Sequence, residues 1–183
     1  MNASLLIGPY DAPGAPKVVA LRPWDARGPA AANSIVRLLQ AALPGIEIEH
    51  VGSTAVPGCD GKGILDLMLL IPAGQLSRVR DTVDGMGFQP QSGGKRHPDS
   101  RPMREGSFTF DGSVFRLHVH LIPDDSAEVD RLRKFRDRLT ANPELVARYV
   151  EQKRRLVDAQ ISDRSTYTLG KKDFIESVLK SEG

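Results

Sequence analysis

The sequence predicts a mixed α/β fold of the α+β kind, a sheet core followed by an all-helical C-terminal extension, on three observations. Residues 64 to 71, ILDLMLLI, are a nearly continuous apolar run of strand length, which suits a central strand covered on both faces. Asp111-Gly112 joins two strand-like runs, Ser107 to Phe110 and Ser113 to Ile122, and is the strongest short hairpin signal in the chain. Beyond Pro123 the apolar residues recur at helical spacing.

From the N-terminus, Pro9, Pro13, Gly14 and Pro16 give a loose arm, and Lys17 to Leu21 is expected to be a short strand. Between Asp25 and Leu43, the residues Ile35, Leu38, Leu39, Ala42 and Leu43 recur as one helical face, and Pro44-Gly45 stops the run. Ile46 to Val51 alternates apolar and polar residues as a strand does. After the strand at 64 to 71, Leu76, Val79, Val83 and Met86 mark a second helix, with Gly87 as its stop and Phe88 returning the chain to the sheet. Residues 91 to 106, QSGGKRHPDSRPMREG, read as a mobile basic loop. In the C-terminal part, Ser126 caps a helix with an apolar face of Val129, Leu132, Phe135 and Leu139. Asn142-Pro143 starts a second one carrying Leu145, Tyr149, Leu156 and Val157, with proline at the first helical position. A third is expected from about Thr166 to Lys180, burying Phe174, Ile175, Val178 and Leu179.

The 183 residues, 40% of them hydrophobic, suit one domain over 1–183, with the core at about 17–123 and the C-terminal helices at about 126–180. A formal charge of +2, from 25 basic and 23 acidic residues, is not the polycation that binds nucleic acid through phosphates alone. The single cysteine, Cys59, excludes an internal disulfide and fits a reducing compartment. The N-terminus MNASLLIGPYDAPG has neither the charged leader nor the apolar length of a signal peptide or membrane span. A cytoplasmic protein with no membrane partner is the expectation.

Asp66 poses the chemical question, because it sits inside the apolar run at 64 to 71 and an unpaired carboxylate in low dielectric costs several kcal/mol. Side chains two apart on a strand share a face, so Asp66 lies with Ile64 and Met68. On the later strand Phe115, Leu117, Val119 and Leu121 point to the core, leaving Arg116, His118 and His120 on the other face. An adjacent strand would bring His118 and His120 to Asp66. Two imidazoles and a carboxylate make a first-row metal site or a histidine-carboxylate pair for proton transfer; a histidine pair that is merely exposed or hydrogen-bonded is the plainer alternative. Cys59 is either a passive loop thiol or a nucleophile served by His50. Lys95, Arg96, Arg101 and Arg104 are either solvated surface or phosphate-neutralising cations.

Val51-Gly52-Ser53, followed after the twelve residues 54 to 65 by Asp66 on a strand, resembles the nucleotidyltransferase superfamily signature. More closely, EHVGSTAVPG, ILDL, the HVH strand, FRDRLTANPELVARYVEQKRRL and TYTLGKKDFI are similar to the GrpB family (UPF0157), from about Trp24 to Leu179. The resemblance implies a nucleotidyltransferase-like mixed sheet core with a helical extension. Such enzymes pair two acids two residues apart and place a third on a later strand to hold two magnesium ions; here Met68 takes the second position and the later strand offers His118 and His120.

What survives is a phosphate loop of Gly52, Ser53 and Thr54 with Lys62 and Arg104 nearby, suited to a nucleoside triphosphate. Asp66, His118 and His120 would hold one metal, with manganese, zinc, iron or nickel favoured over magnesium. The implied catalytic set is Asp66, Ser53, His118 and His120, with Lys153, Tyr167 and Lys171 on the acceptor side or, alternatively, serving only packing and surface charge. The expected function is nucleotidyl or phosphoryl transfer to a small molecule. The alternatives are a non-catalytic nucleotide or phosphometabolite-binding module and a metal-dependent hydrolase. Oligomeric state is not indicated.

Overall fold

In the computed structural model, which describes residues 7–11, 20–93, 96–159, 166 and 169–180, five strands form one sheet. They are β1 (Glu47–Val51), β2 (Ile64–Ile71), β3 (Gln89–Pro90), β4 (Met103–Phe110) and β5 (Ser113–Pro123), in the order β1-β2-β5-β4-β3. Only β2 and β5 run parallel, and they lie at the centre. Asp111 and Gly112, at φ 47° and 70°, supply the two positive φ values of a tight β4–β5 hairpin turn.

The central strands are apolar on both faces because helices cover both. On one face Leu65, Leu67, Leu69, Leu117, Val119 and Leu121 pack against Ala31, Ala32, Ile35 and Leu39 of α1 (Gly28–Ala42) and Val79 and Val83 of α2 (Leu76–Gly85). The other face is covered over part of its length, where Met68, Leu70, Val51 and Ile122 meet Val129 and Leu132 of α3 (Ala127–Ala141). The uncovered part of that face carries Asp66.

Helix boundaries follow local chemistry. The Ser126 hydroxyl accepts from the Glu128 N–H at the start of α3, and Asn142 Oδ1 accepts from the Leu145 N–H at the start of α4 (Pro143–Asp158), where proline occupies the first turn. Tyr149 and Val150 of α4 join Val56 and Cys59 of the β1–β2 loop in a third apolar cluster that also takes in Phe174 of α5 (Lys172–Lys180). The C-terminal helices are thereby fastened to the loop that leads into Asp66. No helix among the described residues is long and apolar enough to cross a membrane.

The structure corrects one expectation. The basic loop at 91 to 106 ends sooner, because β4 begins at Met103. Arg104 and Glu105 hide the strand pattern: both are buried, Arg104 through an ion pair with Asp84 and Glu105 through hydrogen bonds from Ser92. The strand expected at Lys17 to Leu21 lies outside the described residues up to position 19, and the next residues contribute a single bridge, between Arg22 and Gly61. Of the third C-terminal helix, Lys172 to Lys180 is found as α5, and Tyr167 lies outside the described residues.

Met68 has no solvent exposure and packs under α3. Met68→Asp is therefore expected to lower the unfolding free energy by roughly 3 kcal/mol or more, since a carboxylate would replace a thioether among aliphatic side chains. A urea midpoint equal to that of wild type would show the position to be open.

Candidate functional site

One row of residues crosses the sheet on its half-open face. Val51 of β1 is opposite Asp66 of β2, Asp66 is beside His118 of β5, His118 is opposite Glu105 of β4, and Glu105 is opposite Gln89 of β3. His120 lies in the next row, beside Met68. Strand parity thus brings the two imidazoles to the carboxylate, as the sequence predicts. Asp66 Oδ1 lies 3.2 Å from His118 Nδ1 and 3.3 Å from His120 Nε2.

Burial alone would raise the Asp66 pKa, but the hydrogen bonds from the two imidazoles outweigh it and hold the carboxyl well below the usual carboxylate range. The Asp66 side chain remains 27% exposed, so the group is reachable from solvent.

Three further groups converge here that the sequence did not assign to the site. Glu105, fully buried, lies with Oε1 3.8 Å from His118 Nε2. Tyr10 stacks on the His118 ring with 5.5 Å between centroids. His97, from the loop before β4, sits edge-on to His120 at 5.5 Å, and burial first and His120 second push its pKa down to about 4. His50 is nearby as well; burial takes it down to about 4 against the pull of Asp66. All four histidines of the chain therefore gather around one carboxylate. Glu105 joins the site only because β4 begins at Met103, and nothing local announces Tyr10 or His97.

The glycine-serine turn stands directly against Asp66. Gly52 has φ 73°, and a Cβ there would lie 2.6 Å from Asp66 Oδ2, so both the conformation and the space require glycine. Ser53 opens a single 3-10 turn, Ser53–Ala55, and its hydroxyl makes no hydrogen bond among the described residues. Thr54 is occupied: its hydroxyl donates to the Ile64 carbonyl and pairs with His50 Nε2 at 2.9 Å.

The lysines gather on the side of Gly61. A Cβ on Gly61 would lie 2.8 Å from Ser53 Oγ and 3.7 Å from Lys153 Nζ, so hydroxyl and ammonium flank the same glycine. Lys153, buried on α4, donates to the Asp60 carbonyl and sits 3.4 Å from Cys59 Sγ. Lys171 is pushed down to about 8 by burial and then by Lys62, with Asp66 and Lys153 also felt, which puts three lysines in one neighbourhood. Burial raises the Cys59 thiol pKa, so this is a protonated packing residue and not the activated nucleophile of the alternative reading. Arg104 is corrected outright. It pairs with Val119 in register, on the face opposite Asp66, and its guanidinium is held by Asp84.

A cavity of about 520 Å³ opens on the α1 side of the same turn, lined by Trp24, Thr54, Cys59, Gly61 and Phe115. Asp66 is not among the residues that line it.

Asp66, His118 and His120 each offer a ligand atom within 4.8 Å of the others, close enough to hold one metal ion. The donor chemistry is one oxygen and two nitrogens, which suits zinc, manganese, iron or nickel; magnesium prefers oxygen throughout.

The fold and this face define a mixed α/β protein with a candidate metal centre next to a glycine-serine turn. The chain belongs to the GrpB family, whose model, described as "GrpB protein", matches residues 18–181. A UPF0157 protein of Pseudomonas aeruginosa is 38% identical over 159 residues, covering 85% of this chain and 62% of that protein, so the chain spans less than two thirds of that relative. A UPF0157 protein of Halalkalibacterium halodurans is 27% identical over 166 residues, 88% of this chain and 81% of its own. Among solved structures, the conserved protein GrpB from Enterococcus faecalis superposes with a TM-score of 0.71 at 21% identity, covering 87% of this chain and 94% of that one. The fold is shared.

Gly52→Ala is expected to push the Asp66 carboxylate away from its imidazoles and to cost about 2 kcal/mol or more, from the strained φ and the overlap together. Thermal unfolding of the variant checks it, and an unshifted midpoint would show that the turn gives way freely.

Proposed function

We propose that this protein is a metal-dependent transferase that moves a nucleotidyl or other phosphoryl-linked group to a small molecule. Asp66, His118 and His120 hold one divalent ion, and the Ser53 turn with Lys62, Lys153 and Lys171 holds the phosphate. The observation that carries the reading is the convergence of two imidazoles on Asp66 Oδ1, at 3.2 and 3.3 Å, on a face open to solvent.

When bound, the ion supplies Lewis-acid polarisation of a phosphoryl oxygen. The rest falls to the chain. Asp66 stays ionised because the imidazoles hold it so, and Tyr10 and His97 pack against the two rings. The Ser53 hydroxyl and the Lys153 ammonium, both close to the Cβ position of Gly61, orient an anion, and Lys171 adds charge near them. One specific observation favours a second reading. Met68 leaves the strand with a single carboxylate where a pair would hold two magnesium ions, which suits a non-catalytic nucleotide or phosphometabolite-binding module.

Purified without chelator or histidine tag, the wild type is expected to take up one equivalent of zinc, manganese, iron or nickel, read by mass spectrometry, and His118→Ala and His120→Ala to lose most of it. Wild type that takes up none of these ions under any loading condition sinks the metal reading. An α-phosphate label followed with each ion then separates transfer, hydrolysis and binding without turnover.

The Lys171 shift gives a pH test. With a pKa depressed to about 8, the amine is charged below that pH and neutral above it, so the affinity for pyrophosphate should fall as pH rises through about 8. Calorimetry at pH 7 and pH 9 measures this, with Lys171→Met expected to flatten the difference; a wild-type affinity that does not change with pH removes Lys171 from the anion site.

A further inference from the structure

The segment around Tyr10 reaches the metal face from a distance. Gly8 forms a bridge with Ser107 of β4, both N–H···O bonds at 2.9 Å, and Ile7 is buried in the core beside it. The Tyr10 N–H donates to Gln89 Oε1, at the far end of the row that holds Asp66 and His118. Arg116 then fastens the segment from β5. Its Nε donates to the Tyr10 carbonyl at 3.2 Å, its Nη2 donates to Asp11 at 2.7 Å, and its guanidinium lies over the Tyr10 ring at 4.5 Å. Termini are commonly poorly ordered unless tied down, and this segment is tied at each of these points.

The fastening delivers one hydroxyl to the site. Tyr10 Oη lies 3.0 Å from His118 Nε2, the ring nitrogen on the far side from Asp66, and the two rings are nearly parallel at 17°. Glu105 Oε1, at 3.8 Å, is too far for a direct hydrogen bond to the same nitrogen. Tyr10 is thus the direct partner of Nε2, with the carboxylate behind.

Resting on the metal reading above, we propose that Tyr10 is a positioning residue of the metal centre, which orients the His118 ring through Nε2 so that Nδ1 faces the ion. A neutral imidazole carries one proton. Without metal, Nδ1–H donates to Asp66 and Nε2 accepts from the Tyr10 hydroxyl. With metal on Nδ1 the proton must sit on Nε2 and needs an acceptor. A phenol both donates and accepts, so Tyr10 serves both states without moving. Phenylalanine keeps the stacking and loses this. Partners of the non-ligating nitrogen of a metal-bound histidine are commonly worth 10- to 100-fold in affinity.

The test uses the full chain and Zn²⁺ itself, in competition with a chromophoric chelator. Tyr10→Phe is expected to weaken Zn²⁺ binding roughly 10-fold or more while leaving the metal-free unfolding midpoint at the wild-type value, a separation that a packing role would not give. Nitrogen-15 correlation spectra of wild type with Zn²⁺ provide a second measurement, which needs no variant to fold: His118 should carry its proton on Nε2. Equal Zn²⁺ affinity in wild type and Tyr10→Phe overturns this inference and leaves the metal reading standing, as does a His118 protonated on Nδ1 in the zinc-bound protein. A wild type that binds no Zn²⁺ overturns both.

Discussion

The rest of the structure is arranged around the cost of one carboxylate on a central strand. Asp66 lies on β2 between Val51 and His118, where an uncompensated charge would cost several kcal/mol. The compensation is geometric before it is chemical. Parallel pairing of β2 with β5 in one register sets Asp66 beside His118 and Met68 beside His120; a slip of one residue would send the imidazoles into the core and Leu117 and Val119 out of it. The same carboxylate dictates glycine at position 52, because its Oδ2 occupies the space of a Cβ there. Register, turn and ligand set are therefore one constraint seen from three sides.

The helical extension answers a related need. A loop of small residues leading into Asp66 has little side-chain mass with which to fix itself, and the fixing comes from elsewhere. Val56 and Cys59 are packed by Tyr149 and Val150, the Lys153 ammonium donates to the Asp60 carbonyl, and Arg154 pairs with Asp60 at 3.1 Å. On the other side of the turn, Arg136 of α3 donates to both Glu49 and the His50 carbonyl, and Arg133 joins it on Glu49. Burial would raise the Glu49 pKa, and the two guanidinium groups reverse it, so the carboxylate stays charged and holds α3 over β1. The C-terminal helices thus set the geometry of the turn as well as covering one face.

Much of this was legible in the sequence because strand period and helix caps are local. The parity of His118 and His120 against Leu117 and Val119, the Asp111-Gly112 turn, and the caps at Ser126 and Asn142 all depend on residues near one another in the chain. The start of β4 was not legible, since Arg104 and Glu105 read as exposed polar residues until Asp84 and Ser92 are known to partner them. Tyr10 was hidden for the same reason at longer range: 108 positions separate it from His118, and proline-rich surroundings describe only a loose arm. Buried polar residues declare themselves through partners, and partners distant in sequence leave no local trace.

Met68 shows how the covered and open parts of one sheet face are linked. The position that would carry a second acid beside Asp66 instead lies under α3 with Leu70, Ile122 and Val129, so packing of the extension and a two-carboxylate site compete for the same side chain. With packing taking Met68, His120 in the same row keeps its Nε2 on Asp66, and the donor set becomes nitrogen-rich. A nitrogen-rich set shifts the preferred ion from magnesium toward borderline transition metals. Under the metal reading, the ion that such a set would favour is coupled to how α3 covers the rest of the same sheet face.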